Sequence, residues 1–176
     1  MSSDFRKVSF DEDHPGARFL ADHVFQLEAG RGLLALADGL PNAAKHHVAP
    51  RLIRIFADAW TGHVRFHEQV MYPLLKRRYG DQQCERMAIF ERQHADISFA
   101  NDELAETLRM VEIGTVGSDA LAYLLRNVAE RQRDHLETER SFFLPTIPEV
   151  LFPIERKTYL EWAASNPWPL TNEKFG

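Results

Sequence analysis

Residues 63–73 read His63-Val64-Arg65-Phe66-His67-Glu68-Gln69-Val70-Met71-Tyr72-Pro73, and residues 135–145 read His135-Leu136-Glu137-Thr138-Glu139-Arg140-Ser141-Phe142-Phe143-Leu144-Pro145. In each stretch a histidine is followed four residues later by a second potential metal ligand, and ten residues later by a proline. A four-residue step is about one turn of α-helix, so both ligands of a stretch share one helix face. A further histidine precedes each stretch at a matching distance: His23 lies 40 residues before His63, and His94 lies 41 before His135. The chain is a spacing used twice.

Working outward, apolar residues recur at threes and fours around all four positions, the signature of amphipathic helices. Helix one is expected from Pro15 to about Asp38, with Asp13 or His14 as its start and Phe19, His23, Leu27, Gly30 and Leu34 on its inner face. Gly39-Leu40-Pro41-Asn42 ends it. Helix two is expected from about Pro50 to Tyr79, its inner face running through Leu52, Phe56, Trp60, His63, His67, Val70 and Leu74. Proline inside a helix costs roughly 3 kcal/mol and usually bends it, so a kink or break is expected at Pro73. Helix three spans about Gln82 to Glu112, with Met87, Phe90, His94, Ile97, Asn101 and Leu104 in its seam. Helix four runs from Ser118 to about Phe143 through Leu121, Leu125, Val128, Gln132, His135 and Glu139. A short helix at about Glu155–Ala164 and a tail follow. Short connections between long helices imply antiparallel neighbours. The expected fold is therefore all-α: an up-down-up-down four-helix bundle with a short extra C-terminal helix. The division is residues 1–13 as an arm, 14–148 as the bundle, and 149–176 as helix and tail.

The chemistry lies in what occupies the seams. His23, His63, His67, His94, His135 and Glu139 all fall on faces that are otherwise apolar. Each buried polar group without a partner costs roughly 1–3 kcal/mol, so six at one level of a bundle need compensation. A metal ion supplies it: imidazole and carboxylate suit iron, manganese or zinc. Gln132 and Asn101 are candidate outer donors to that site. His14, His46 and His47 lie outside the seams and read as solvated loop residues. Trp60, Phe66 and Phe90 read as core that keeps the site dry.

The remaining composition narrows the function. The 176 residues are 44% apolar with a net charge of −5, without the basic stripe a nucleic-acid surface needs, and no apolar run approaches the ~20 residues of a membrane span. The N-terminus has no basic-then-apolar signal pattern. The single Cys84 excludes an internal disulfide framework and fits a reducing cytoplasm. It has no Cys–His arrangement beside it.

The order of a histidine, then His-x-x-x-acid, then a histidine, then His-x-x-x-Glu, with each proline ten residues on, resembles the hemerythrin-like (HHE cation-binding) domain family over about residues 14–148. The resemblance implies a non-haem di-iron centre in the bundle core. His23 and His63 would serve one iron, His94 and His135 the other, and Glu139 would bridge them. The chain departs from the pattern at His67, where the family has a second bridging glutamate. A neutral imidazole has one free lone pair and cannot bridge, so an asymmetric centre, a weaker second position or a single-metal site is expected. Glu68 is the alternative carboxylate, but it points about 100° around the helix from His67.

Three functions follow from the same residues: a protein that binds or senses O₂, NO or peroxide; a di-iron redox enzyme or iron donor for iron–sulfur repair; and a protein whose zinc or single metal is structural. A reductase partner is an expectation of the first two. Tyr159, Leu160 and Trp162 are expected either to cap the bundle or to join two copies of the chain.

Overall fold

The computed structural model describes residues 10–40 and 47–167, the side chains of residues 82–84 excepted. The expectations for residues 1–9, Pro41–His46, the Cys84 side chain and the last nine residues lie outside it. Every regular element among the described residues is helical: α1 (Pro15–Gly39), α2 (Ala49–Phe66), a π-helical turn (His67–Met71), α3 (Tyr72–Tyr79), a 3₁₀ turn (Gly80–Gln83), α4 (Cys84–Glu112), α5 (Ser118–Phe143) and α6 (Pro153–Ser165). None of these helices is long and apolar enough to cross a membrane. α1 packs on α2 and α5, and α4 packs on the same two helices. The four long helices thus close a ring around one interior.

Several local expectations need correction. His14 is buried rather than solvated. It caps α1, its Nδ1 accepting the Gly16 backbone N–H at 3.0 Å, and its ring stacks on Phe10. Proline at the first position of α1 suits that start, since its missing N–H would have had no helical partner. His47 is exposed, as expected. In α1 the inner face runs Phe19, Asp22, Gln26, Gly30, Leu33 and Ala37, whereas Leu27 and Leu34 are half-buried. Two polar residues, Asp22 and Gln26, occupy buried places that an apolar pattern does not reveal.

Pro73 does not break the second helix. It widens it: the π turn His67–Met71 stands immediately before it, with the Tyr72 N–H bonded to the His67 carbonyl. Proline offers no N–H and its ring crowds the carbonyl four residues back. A wider turn relieves both, and the helix resumes as α3. Such single π turns recur at functional sites. The equivalent Pro145 lies beyond the end of α5, so the two halves of the chain differ in how they use the same proline.

The interior has three layers. One apolar cluster includes Leu33, Ile53, Phe56, Leu104, Leu121 and Leu125. The other includes Phe19, Phe66, Met71, Phe90, Phe143 and Tyr159. Between them lies a polar layer in which Asp22, His23, Gln26, His63, His67, His94, Gln132, His135 and Glu139 are all at most 2% exposed. The C-terminal helix closes one end. Arg78 holds Glu155 from two nitrogens, at 2.9 and 2.6 Å. The Trp162 indole N–H donates to Gln69 at 2.7 Å, and the Trp162 ring lies against Phe66. Tyr159 is buried in that end while Leu160 is exposed, so α6 caps its own chain over the π turn.

Candidate metal centre

Glu139 is the middle of the polar layer. Nε2 of His23, His63 and His135 lie 3.2, 3.4 and 3.4 Å from its Oε2. Nδ1 of His67 lies 2.8 Å from Oε1, and Nε2 of His94 lies 3.5 Å from it. All six side chains singled out by their spacing therefore meet at one place, contributed by all four long helices. Glu68 does not: it is exposed and lines a surface groove with Tyr72, Pro73 and Lys76. The residue that stands where the repeat calls for a carboxylate is His67.

Two donor atoms each held ~2.1 Å from a common ion, at angles near 90–110°, lie about 3.0–3.4 Å apart. The three contacts to Glu139 Oε2 have that spacing, and the two to Oε1, at 2.8 and 3.5 Å, lie just outside it. Both ring nitrogens of His23, His67 and His94 and both oxygens of Glu139 are buried without a hydrogen-bond partner among the described residues. Orphaned ligand atoms at ligand-to-ligand distance fit a cation better than they fit a hydrogen-bonded core. Two sets of potential ligand atoms lie within 4.8 Å of one another: Asp22, His23, His63 and His67; and His63, His94, His135 and Glu139. His63 belongs to both.

Asp22 was not legible from the repeat. It is 1% exposed, and its Oδ2 accepts the His63 Nδ1–H at 2.5 Å. Behind it, the Gln26 amide donates to Asp22 Oδ1 at 3.4 Å and to the Ala59 carbonyl at 2.8 Å. Gln132 donates to Gln26 at 2.8 Å. Gln132 thus sits one step further from the ligands than a direct donor would. On the other side His135 Nδ1–H donates to Gln93 Oε1 at 2.9 Å. Asn101 is buried, its side-chain oxygen without a hydrogen-bond partner among the described residues. The available signal for Asp22 and Gln93 is that each immediately precedes a seam histidine, His23 and His94.

The electrostatics sort the imidazoles. Burial pushes His67 down to about 3, and the adjacent Glu139 opposes this without overcoming it. Burial likewise pushes His94 down to about 4 and lowers His23. These three are held neutral, the form in which imidazole ligates metal. His63 is the exception: burial disfavours its charge, but Asp22 and Glu139 outweigh burial and lift it to about 10. Burial would raise Glu139 too, yet the charged His63 beside it holds it well below the usual carboxylate range. Without an ion, His63 is therefore an imidazolium within the layer.

Trp60 stacks on His63 with ring centres 4.8 Å apart and is anchored by its N–H to Ser98 at 3.1 Å. Tyr72 stands between the layer and solvent: its ring is 5.8 Å from His67 and 6.2 Å from His94, and it lines the surface groove of about 380 Å³. A second groove of about 380 Å³ reaches His135 past Gln93.

A family model described as hemerythrin HHE cation binding domain matches residues 14–147. No curated protein matches the chain, and no solved structure does.

Proposed function

The chain belongs to the hemerythrin HHE cation-binding domain family, and from that premise we propose that it holds a non-haem pair of iron ions in its core and binds or responds to O₂, NO or peroxide there. The observation that carries this reading is the set of five imidazoles gathered within 3.5 Å of one buried carboxylate. His23, His63, His67, His94, His135 and Glu139 would hold the metal. When bound, it would supply a coordination position open to a small ligand.

Two ions are favoured because the oxygens of Glu139 face different donors: three histidines at Oε2 and two at Oε1. That division makes the centre unequal. It also differs from the helix-by-helix pairing that the resemblance implies, since His23, His63 and His135 gather together. The rest of the site follows from the chain's own residues. Asp22 and Gln93 orient imidazoles, Trp60 and Phe19 exclude water, and Tyr72 lines the approach from the groove.

We read the ring of helices as up-down-up-down. Residues paired across α1 and α5 run in opposite order: Phe19 with Phe143, His23 with Glu139, Gln26 with Gln132 and Asp38 with Arg126. The lone cysteine supports a cytoplasmic setting, where a reductase would return the iron to its ferrous state.

A single ion, iron or zinc, is the second reading. It is favoured by the lack of a second carboxylate among the residues that face Glu139. Metal analysis of protein purified without added metal decides the count and identity. Two irons per chain support the proposal; one zinc and no iron overturn it. Rapid mixing of reduced protein with O₂ then separates a reversible adduct, expected of a carrier or sensor, from turnover, expected of an enzyme.

A further inference from the structure

The repeat that brings the ligands together extends one residue outward on each side. Asp22 precedes His23 and holds His63; Gln93 precedes His94 and holds His135. In both halves the residue before the histidine of one helix fixes the Nδ1–H of the histidine on the next. The halves also differ twice, in opposite senses. The α1–α2 half has a carboxylate at the outer place, Asp22, and an imidazole at the inner place, His67. The α4–α5 half has a neutral amide outside, Gln93, and a carboxylate inside, Glu139. Each half therefore carries one carboxylate at these two places.

We propose that Asp22 is the positioning carboxylate of the α1–α2 half, fixing His63 with Nε2 toward the ligand cluster and supplying from behind the negative charge that this half lacks at His67. Asp22 borders the cluster, with an oxygen within 4.8 Å of ligand atoms of His23 and His67, but both its oxygens are engaged, one by His63 and the other by Gln26, so it acts through His63. A carboxylate behind a ligating imidazole fixes its tautomer and raises its basicity, and losing such a partner typically weakens metal binding 10–100-fold. The Gln132–Gln26–Asp22 chain extends the support across α5 and α1.

The inference rests on the metal-binding reading above, and the test separates the two. Zn²⁺ affinity is measured by chelator competition for the wild type, Asp22→Asn, and Asp22→Asn combined with His67→Glu, with helix content checked for each. Asp22→Asn keeps the shape and an acceptor oxygen but removes the charge. It should bind Zn²⁺ about 10–100-fold more weakly, and the added His67→Glu should recover most of that loss. His67→Glu adds a ligand of its own, so it is also measured alone: its gain in the Asp22→Asn background should exceed its gain in the wild type, and equal gains overturn the shared-charge role. Nitrogen-15 spectra of the Zn²⁺-loaded wild type give a readout free of any folding defect: His63 should keep its proton on Nδ1 and lose it from Nε2. Wild-type protein that takes up no metal overturns the function, and the role of Asp22 with it. Wild-type uptake with undiminished affinity in Asp22→Asn, or with the His63 proton on Nε2, overturns the role of Asp22 alone.

Discussion

His67 and Glu139 occupy equivalent places in the two halves of the chain, four residues after His63 and His135, and they face each other with Nδ1 2.8 Å from Oε1. A neutral imidazole beside a carboxylate is tolerable in a buried layer. Two carboxylates there would not be, because like charges about 3 Å apart cannot both ionise. The substitution at this position thus makes the ion-free fold easier to maintain while removing a bridge.

His67→Glu should therefore separate stability from metal binding. The ion-free variant is expected to be less stable than the wild type by roughly 1–3 kcal/mol, the cost of a buried group with no compensating partner. With metal its melting temperature should rise further than that of the wild type, because a ligand at 100 times its Kd adds about 2.7 kcal/mol to stability. Calorimetry with and without metal, alongside metal counting, checks this. Unchanged metal content and spectrum in His67→Glu would show that His67 is no ligand.

Glu139→Ala and His135→Ala should each lose most of the bound metal, for different reasons. Glu139 is the one carboxylate that all five imidazoles face. His135 contributes an imidazole that Gln93 already holds in place. Removing Glu139 also strips His63 of one of the two carboxylates that keep it charged. The His63 ring resonances of ion-free Glu139→Ala should then titrate at lower pH than in the wild type, a shift that His135→Ala should not reproduce to the same degree.

The pH dependence has two opposite signs. A metal must displace the proton of His63, lifted to about 10, so metal affinity should climb about tenfold per pH unit between 6.5 and 8.5. Stability of the ion-free protein involves other groups. His67 and His94 titrate near 3 and 4 when folded and near 6.5 when unfolded. Below 6.5 the unfolded chain binds protons that the folded one refuses, so stability falls with falling pH from about 6.5 to about 4. Each of the two takes away on the order of 1 kcal/mol per pH unit in that window. His63 works the other way: its contribution is full below 6.5 and fades as pH rises toward 10. Chemical denaturation at pH 7.5, 6 and 5 in the presence of chelator should show the acid loss.

Why the sequence discloses some of this and not the rest can be stated residue by residue. The histidine positions were legible because a polar residue in an apolar seam violates the helical pattern, and the violation recurs at one spacing. The π turn was half legible: Pro73 demands some accommodation, but nothing in its neighbours tells a widened turn from a break. Asp22 was hidden because it adjoins His23. One buried polar residue draws the seam to itself, and the adjacent one reads as solvent-facing. Gln26, four residues on, makes the true face look polar as well. The His14 cap is hidden because it relies on burial by Phe10, a contact that periodicity does not report.

Gly30 offers a test of the Gln132–Gln26 link that does not touch the ligands. A Cβ at this position would lie 2.7 Å from Gln132 Oε1. Alanine is favoured over glycine in a helix by about 1 kcal/mol, so an unobstructed Gly30→Ala would stabilise the protein. Here the side chain in the way is buried and bonded to Gln26, and its retreat breaks that bond. Gly30→Ala is expected to destabilise by about 1–3 kcal/mol, the usual penalty of overpacking. In a Gln132→Ala background the same change should become stabilising. Denaturation of the four proteins closes the cycle, and simple additivity would show that Gln132 and Gly30 do not press on each other.

Tyr72 gives the last prediction, because its hydroxyl is buried without a partner among the described residues, beside His67 and His94. Burial raises its pKa, and Glu139 adds to the rise, so the phenol stays protonated and carries an unspent donor. Phenylalanine keeps the ring and the packing against Phe143 while removing the donor. Losing an unsatisfied buried polar group should stabilise the ion-free protein by about 1–3 kcal/mol. In a chain of this length each kcal/mol corresponds to about 2–4 °C of melting temperature. The metal count should not change, because the residues that face Glu139 are untouched. A melting temperature of Tyr72→Phe that stays level or falls would mean that the hydroxyl has a partner, and that Tyr72 is part of the centre's hydrogen bonding and more than a wall of the groove.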